Sequence, residues 1–235
     1  MIDFHTHCLP AIDDGSDSIE SSLAMLHESV QNGIDTVVAT PHFYVGEQTV
    51  EEFLAQRDAA LARLREACAR EHLPIHIIPA AEVLVREGIS KIDLRPLCIE
   101  GSSCVMLELP FMTPPMWLFE EVENVIFDQK LTVMYAHIDR YRNWYSSVDI
   151  AEITDIPGLF LQINADSLDS RRSYVGIHKW LPVTRRVVLG TDMHAPRTTN
   201  KDMKRAHTCL RRVAAGREWL GYIEQCEDAF MQSWE

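Results

Sequence analysis

The chain has 235 residues, a formal net charge of −13 at pH 7 and six cysteines. The length fits one large domain spanning residues 1–235, a common size for α/β barrels. The negative charge argues against nucleic acid as a general partner, because phosphate backbones require a basic surface. We find no secretory signal and no run long enough to span a membrane, and the cysteines are scattered, so we expect a cytoplasmic protein without membrane insertion.

Apolar, β-branched runs alternate with amphipathic stretches along the chain. The runs predict strands at residues 1–5, 34–40, 75–80, 104–108, 132–137, 159–164 and 186–191, and the amphipathic stretches predict helices at 18–32, 50–70, 116–129, 201–214 and 217–232. Gly33 is placed to end the first helix, and Thr49 and Glu52 have the spacing of a capping box before the second. Short connections between strands and helices indicate βαβ units and a parallel sheet. We therefore predict an α/β fold, a single-domain, distorted (β/α)7 TIM-like barrel.

Acidic residues and histidines follow six of the seven predicted strands. His5 and His7 are two positions apart on the first strand, so their side chains project to the same face. Because the carboxyl ends of barrel strands meet at one mouth, we expect residues distant in sequence to converge there. The candidate metal ligands are His5, His7, Asp14, His42, Glu82, Glu108, His137, Asp192 and His194.

Each candidate also has an ordinary interpretation. His42 could cap a loop, His137 could hydrogen-bond a backbone carbonyl, and Asp14 could only form a turn. Glu82 and Glu108 lie beside apolar residues and could pair with arginines, since buried carboxylates need partners. Taken together, the repeated placement at strand ends favours a metal site over separate structural roles.

The ligand types indicate which ions such a site would hold. Imidazoles and carboxylates without cysteine suit Mn²⁺, Fe²⁺ or Zn²⁺ rather than a thiolate zinc site. Nine candidates exceed the needs of one ion, and a carboxylate such as Glu82 can bridge, so we expect two or three divalent ions, as in phosphate ester hydrolysis. Four carboxylates and three divalent ions would sum to about +2, enough to hold a phosphate dianion. Asn164, at the end of the sixth strand, is interpreted as a structural amide that supports a loop.

The opening of the chain carries the most specific motif. It reads H-x-H-x-L-P-x-x-D-D-G from His5 to Gly15, and further segments match in the same order up to about Arg197. These are V-A-T-P-H ending at His42, A-E ending at Glu82, L-E ending at Glu108, A-H-I-D-R-Y starting at Ala136, L-Q-I-N ending at Asn164 and G-T-D-M-H ending at His194. This pattern resembles the polymerase-and-histidinol-phosphatase (PHP) superfamily. More narrowly, it is similar to the bacterial capsule-operon protein-tyrosine phosphatases.

The resemblance implies a trinuclear, commonly manganese-dependent site on a PHP-type barrel. It assigns the candidate ligands to three ions: His5, His7, Glu82 and Asp192 to the first, Glu82, Glu108 and His137 to the second, and Asp14, His42 and His194 to the third. It also implies that Arg140 and Arg197 hold the phosphate, although Arg197 lies closer to the G-T-D-M-H segment than its counterpart usually does. Asp139 stands where relatives tend to have glutamate.

The implied reaction is hydrolysis of phosphotyrosine by a metal-activated hydroxide that attacks phosphorus in line, because metal binding lowers the pKa of water. No covalent intermediate is required. The sequence independently excludes the thiol mechanism, since no cysteine here is followed by arginine six positions later. The implied substrate is the tyrosine-rich tail of an autophosphorylating kinase that controls capsular or exopolysaccharide synthesis.

Three other functions remain open from the sequence. A PHP phosphoesterase acting on a small phosphorylated metabolite such as histidinol phosphate would share the ligand set and differ only in the pocket wall. Candidate wall residues for an aromatic leaving group are Phe43, Tyr44, Phe111, Met112, Trp117, Tyr141 and Trp144. A non-catalytic metal-binding module would be expected to lack some ligands, and none is missing. Finally, a nucleic-acid patch could form from Lys201, Lys204, Arg205, Arg211 and Arg212, although such charges usually form a solvated helix face.

Overall fold

Parallel strands alternate with helices in the computed structural model, which describes residues 1–156, 158–181, 185–196 and 202–234. The strands are β1 Ile2–Thr6, β2 Thr36–Ala39, β3 His42–Phe43, β4 His76–Pro79, β5 Glu82–Leu84, β6 Cys104–Glu108, β7 Thr132–Tyr135, β8 Phe160–Asn164 and β9 Val187–Gly190. The helices are α1 Ile19–Gln31, α2 Val50–Arg70, α3 Leu118–Phe127, α4 Ser147–Thr154, α5 Arg171–Trp180, α6 Asp202–Arg212 and α7 Ala214–Trp234.

The strands form two parallel sheets, with the orders β1–β2–β4 and β3–β5–β6–β7–β8–β9. Strand β3 directly continues β2, and β5 continues β4, so seven strand positions follow one another around a ring. Pro41 lies at the first break and has no N–H to extend the ladder there, and the second break falls at residues 80–81. The ring returns to β1 through the residues after β9, where Asp192 N donates to His5 O over 2.8 Å and His7 N donates to Met193 O over 3.0 Å.

The predicted parallel α/β fold is therefore confirmed, with one correction: the barrel is not closed by a single continuous hydrogen-bonded sheet. Its interior is apolar. Phe4 of β1 packs on Phe230 of α7 with ring centroids 5.1 Å apart. The backbone N–H of Ile2 donates to Glu227 of the same helix over 3.3 Å. Helix α7 thus covers the amino-terminal end of the ring and leaves the carboxyl-terminal mouth free.

Most predicted elements appear within two or three residues of their expected bounds. Helix α2 matches the prediction, and its capping box between Thr49 and Glu52 is present. Gly33 follows α1 with a φ of 80°, in the left-handed region that glycine tolerates. The prediction missed α4, α5 and the short strands β3 and β5. Lys201 lies outside the described residues. None of the described helices has the length and apolar character needed to cross a bilayer.

Candidate metal centre

The nine candidate ligands converge at the carboxyl-terminal mouth of the ring. The Nε2 atoms of His5 and His7 lie 3.1 Å apart, and each lies 3.5 Å from Oδ1 of Asp192. Residues from opposite ends of the chain are thus brought within contact distance, because β1 and β9 are neighbours in the ring. The alternation of a strand explains why both histidines point into the same space.

Glu82 is the centre of the cluster. Its side chain is fully buried, and Oε2 lies 3.2 Å from Nε2 of both His5 and His7 and 3.1 Å from Nδ1 of His42. The other oxygen, Oε1, lies 2.8 Å from Nε2 of His137. One carboxylate therefore faces four imidazole nitrogens, and neither of its oxygens accepts a hydrogen bond from the described residues. These are the surroundings expected of a carboxylate that bridges two cations.

The remaining ligands extend the cluster in two directions. On one side, Nε2 of His137 lies 3.6 Å from Oε1 of Glu108. On the other side, Oδ1 of Asp14 lies 3.5 Å from Nε2 of both His42 and His194. Among the candidates in these contacts, Asp14 is the most exposed, with 73% of its side chain accessible to solvent.

Three groups of donor atoms are compact enough to hold a metal ion, with every pair of atoms within 4.8 Å. They are His5 with His7 and Asp192; His42 with Glu82 and Glu108; and His7, Asp14, His42 and His194 together. These groups overlap the sets implied by the resemblance. In the implied sets Glu82 is the residue that two ions share, whereas His7 and His42 each occur in two of the compact groups. The geometry brings the predicted residues together and leaves open how they divide among ions.

Local backbone features place these ligands. His137 and Asp192, which follow β7 and β9, have positive φ values of 28° and 52°, a strained conformation that is common at functional sites. Gly15 is required because a Cβ there would lie 2.4 Å from Cβ of His7. Gly190 is required for a similar reason, since a Cβ would lie 2.6 Å from Cβ of His5. The D-D-G and G-T-D segments therefore pack directly against the first two histidines.

A second layer of hydrogen bonds orients the histidines. Nδ1 of His7 pairs with Oδ2 of Asp13 over 2.6 Å, which directs Nε2 toward the cluster. Oε1 of Gln162 lies 2.9 Å from Nδ1 of His5 and accepts the N–H of His137 over 2.6 Å. Partners of this kind fix the tautomer and ring orientation of ligating histidines. Neither Asp13 nor Gln162 was predicted to have this role, although the i, i+2 spacing of Gln162 and Asn164 on β8 resembles that of His5 and His7.

Asn164 and Asp139 also have definite roles. Nδ2 of Asn164 donates to Oδ2 of Asp192 over 3.2 Å, so this amide lines the site rather than only supporting a loop. Asp139 accepts hydrogen bonds from Asn164 N over 2.8 Å and from Ser167 Oγ over 2.6 Å. Asp139 therefore holds the segment after β8 in place beside the cluster.

Gln162 provides a test of this second layer. Replacing it by leucine removes the acceptor for His5 and for the His137 amide while keeping similar volume. We expect Mn²⁺ affinity to fall by about 10- to 100-fold, the usual effect of losing such a partner. Isothermal titration with Mn²⁺ measures this, and Gln129→Leu, which removes an amide that bonds Leu94, Ser90 and Ile92 away from the site, is the control. Unchanged affinity in Gln162→Leu would contradict the orienting role.

The electrostatics of the cluster favour added cations. Burial raises the pKa of Glu108 to about 8, and the charge of Glu82 contributes to the rise. Burial alone would raise the pKa of Glu82, but the surrounding histidines hold it well below its ordinary value. Burial also opposes the charge on His5, yet the carboxylates of Glu82 and Asp192 raise its pKa to about 9. Divalent ions would satisfy these carboxylates without protonated histidines, so the donor set fits metal ions.

This arrangement predicts that metal binding releases protons. Burial opposes protonation of His7, but its contacts with Asp13 and Glu82 raise its pKa to about 10, so without metal the histidine pair retains protons at pH 7 on nitrogens that would bind ions. Because ions and protons compete for the same nitrogens, Mn²⁺ affinity should rise from pH 7 toward pH 9. Calorimetric titration at pH 7 in two buffers of different ionisation enthalpy measures the release. Heats that do not depend on the buffer would contradict it.

A cavity of about 470 Å³ opens over the cluster, and the described residues that line it are all polar. Arg140 lies on its wall, with Nη1 donating to Oδ2 of Asp192 over 3.0 Å and 48% of the side chain exposed. A partly free guanidinium beside the candidate ligands could bind the oxygens of an anion. Arg197 lies outside the described residues.

Of the aromatic residues predicted to form the pocket wall, some lie at the rim of the cavity and others belong to the hydrophobic core. Phe111 stacks on His137 at 5.7 Å and lies 5.1 Å below the guanidinium of Arg140, and Trp144 contacts its edge. Tyr44 stacks on His42 and lines the cavity. The buried side chains of Phe43 and Tyr141 belong to the hydrophobic core, against which Trp117 also packs, and Met112 is exposed. Phe111, Trp144 and Tyr44 are therefore the aromatic residues at the mouth.

Comparison with known protein families shows which family this chain belongs to. A family model described as "Capsular polysaccharide synthesis, CpsB/CapC" matches residues 1–222. The chain belongs to the CpsB/CapC family. This confirms the narrower resemblance drawn from the H-x-H-x-L-P-x-x-D-D-G opening, and the matched region contains all nine candidate ligands of this CpsB/CapC protein.

Curated CpsB/CapC relatives are named as phosphatases. Tyrosine-protein phosphatase YwqE of Bacillus subtilis is 32% identical over 149 residues, which cover 60% of this chain and 56% of that protein. Tyrosine-protein phosphatase CpsB of Streptococcus pneumoniae is 26% identical over 197 residues, which cover 82% of this chain and 79% of that protein. The alignment thus spans little more than half the length of the Bacillus protein.

Solved structures share the fold. A structure reported with YwqE from Bacillus subtilis and CpsB from Streptococcus pneumoniae, described as metal-dependent tyrosine phosphatases, has a TM-score of 0.79 at 22% identity and covers 97% of this chain and 93% of that one. Histidinol phosphate phosphatase from Lactococcus lactis has a TM-score of 0.53 at 12% identity and covers 90% and 92% of the two chains. These likenesses confirm the predicted PHP-type α/β fold.

Proposed function

We propose that this CpsB/CapC protein is a metal-dependent protein-tyrosine phosphatase, a phosphoric monoester hydrolase. The observation that carries the proposal is the convergence of five histidines and three further carboxylates around buried Glu82, in a polar cavity that also holds Arg140. The names of the Bacillus and Streptococcus relatives support the same activity. Phosphate esters are the substrates that clustered divalent ions and an arginine are suited to bind.

We assign the ligands to three divalent ions. His5, His7, Glu82 and Asp192 would hold the first, and the 3.1–3.5 Å separations among the two imidazoles and the two acids support this set. Glu82, Glu108 and His137 would hold the second, and Asp14, His42 and His194 the third. Imidazole and carboxylate donors without thiolate support Mn²⁺, with Fe²⁺ or Zn²⁺ as alternatives.

When bound, these ions would act as Lewis acids toward the phosphate and lower the pKa of the attacking water. The protein's own groups have separate tasks. Arg140 would bind phosphoryl oxygens and stabilise their charge in the transition state, and we assign Arg197 the same task. Asp13 and Gln162 would hold His7 and His5 in their ligating orientation. The polar cavity would admit the phosphate group while the aromatic rim contacts the leaving group.

The rim also favours phosphotyrosine over a small phosphorylated metabolite. Phe111 presents a ring at the mouth, fixed between His137 and Trp144 and covered by Arg140. A phenol ring could pack against this surface while its phosphate lies beside the guanidinium. Aromatic contacts of this kind contribute about 0.5–1.5 kcal/mol beyond burial.

A direct comparison of substrates tests the proposal. With Mn²⁺ bound, we expect kcat/KM for a phosphotyrosyl peptide to exceed that for histidinol phosphate. A clear preference for histidinol phosphate would replace the assignment with that of a metabolite phosphoesterase. Metal-loaded protein that hydrolyses no aryl phosphate would indicate a non-catalytic metal-binding module instead.

Phe111→Leu tests the role of the aromatic rim. We expect KM for the phosphotyrosyl peptide to rise roughly 3- to 10-fold, with little change in metal content or in hydrolysis of a phosphoseryl peptide. Steady-state kinetics on both peptides measures this effect. Met112→Leu, at an exposed neighbouring position, should leave both substrates unaffected. Equal losses on both peptides would show that Phe111 maintains the site rather than recognising the ring.

We propose that the substrate is the tyrosine-rich tail of an autophosphorylating kinase that controls capsular or exopolysaccharide synthesis; the family description supports the link to capsular polysaccharide synthesis. We place the protein in the cytoplasm, since its cysteines are free, as expected in a reducing compartment. We treat residues 1–235 as one phosphatase domain, because a shared hydrophobic core includes residues from α1 to α7.

A further inference from the structure

A second cavity, of about 700 Å³, lies between the start of α5 and the outer face of α6. Among the residues that the structure describes, four cationic side chains and one carboxylate, that of Asp169, line it; the cations are Arg171, Lys204, Arg205 and Arg212. We call this the basic groove. Its local excess of three positive charges contrasts with the net charge of −13 for the whole chain.

The cations of the basic groove are available to a ligand. Within the part of the chain that the structure describes, Arg171, Arg205 and Arg212 form no ion pair with a carboxylate, and all three are exposed. Lys204 donates over 2.9 Å to the backbone carbonyl of Gln31, which is a neutral acceptor. Positive charge thus accumulates here without an internal partner, which favours an anionic ligand.

The basic groove lies next to the cavity of about 470 Å³ over the candidate ligands, which we call the metal cavity. The 3₁₀ segment Ala165–Leu168 contributes Asp166 and Ser167 to the wall of the metal cavity, and the next residues, Asp169–Arg171, line the basic groove. From Ser167 to Arg171 the chain can span at most about 14 Å. An extended peptide with its phosphotyrosine in the metal cavity would therefore reach the groove within roughly two to five residues.

We infer that the basic groove binds acidic residues that flank the phosphotyrosine of the protein substrate. This inference rests on the proposed phosphatase activity and adds a preference for acidic sequence to it. Carboxylates of an extended segment match the exposed guanidinium groups in charge and geometry. Nucleic acid fits less well, because the described residues that line the groove include no aromatic side chain on which bases could stack.

Paired peptides and a double variant test the inference. One phosphotyrosyl peptide carries glutamates two to five positions from the phosphotyrosine, and the other carries glutamines there. At low salt we expect kcat/KM to be about fivefold higher for the glutamate peptide, as expected for a few exposed ion pairs. Arg205→Ala with Arg212→Ala should remove this preference and leave hydrolysis of p-nitrophenyl phosphate unchanged.

Arg211→Ala is the matched control, because it removes the same charge from α6 at a position that does not line the groove. It should keep the preference, and added salt should weaken the preference in the parent protein. Equal rates on the two peptides, or a preference that survives the double variant, would overturn the inference. Loss of single-stranded DNA binding in the double variant without any peptide effect would also overturn it and assign the groove to nucleic acid.

Failure of the phosphatase proposal can be distinguished from failure of this inference. If metal-loaded protein hydrolyses neither peptide nor p-nitrophenyl phosphate, the phosphatase assignment fails. Fluorescence anisotropy with the unphosphorylated glutamate peptide then tests the groove independently of catalysis. Salt-sensitive binding that the double variant loses would support an acidic-peptide site, and absence of binding in the parent would contradict it.

Discussion

Replacing Glu82 by glutamine should remove bound metal and lower kcat/KM by at least about 1000-fold, a loss comparable to removal of a central electrostatic group. The substitution keeps the shape of the side chain and removes the charge that faces His5, His7, His42 and His137. An amide cannot bridge two cations in place of a carboxylate. Elemental emission analysis of the purified variant, together with a phosphotyrosyl peptide assay, measures both effects.

Glu120→Gln is the control for this substitution, since Glu120 is an exposed residue in the first turn of α3. It should keep full metal content and activity. Circular dichroism of Glu82→Gln separates loss of metal from loss of fold. A folded Glu82→Gln protein with normal metal content would contradict the bridging role of Glu82.

Arg140→Ala should retain metal but reduce kcat by about 100- to 1000-fold, as expected when one donor that stabilises transition-state charge is removed. The guanidinium contacts Asp192 from outside the cluster and is half exposed, so its loss leaves the ligand set intact. This result would separate phosphate binding from metal binding, because His5→Ala should lose both metal and activity. Metal analysis and steady-state kinetics on the same preparations provide the measurement.

Two further variants sharpen the role of Arg140. Arg142→Ala removes a guanidinium that lies against Gly176 of α5, away from the cavity, and should behave like the parent. Arg140→Lys should recover part of the activity, since lysine supplies charge without the planar, bidentate donor pair. Metal loss in Arg140→Ala would show that Arg140 supports the cluster through Asp192 instead of binding phosphate.

The sequence was sufficient to predict that the candidate ligands converge, because strand periodicity and the alternation of strands with helices are both visible in local patterns. His5 and His7 share a face by the alternation of β1, and a parallel ring brings the ends of all strands to the same mouth. The position of Glu82 after an apolar run therefore placed it beside four histidines from three other segments. The predicted polar strand ends and the observed cluster coincide for this reason.

Asp13 and Gln162, which orient the histidines, were harder to predict from the sequence. Asp13 has the sequence signature of a turn former, and its contact with His7 depends on the close packing that Gly15 allows. Gln162 lies in the middle of β8, and only the lateral order β7–β8–β9 and the return to β1 bring it to His5. Such contacts depend on which strands become neighbours, which local patterns do not specify.

Helices α4 and α5 were not predicted, and features of their own sequences explain why. Helix α4 is only eight residues long, so its periodic pattern is too short to distinguish from a loop. Helix α5 contains Gly176 in its interior, and glycine there lowers helix propensity by about 1 kcal/mol relative to alanine. The packing of Tyr174 and Ile177 in the core stabilises α5 in spite of this glycine.

Anomalous X-ray diffraction from crystals of the Mn²⁺-loaded protein tests the central claim most directly. We predict manganese peaks at the carboxyl-terminal mouth of the ring, with Glu82 coordinating at two of them. One peak should lie among His5, His7 and Asp192, a second beside Glu108 and His137, and a third among Asp14, His42 and His194. An absence of manganese at Glu82, or peaks only at surface carboxylates away from this mouth, would contradict the account.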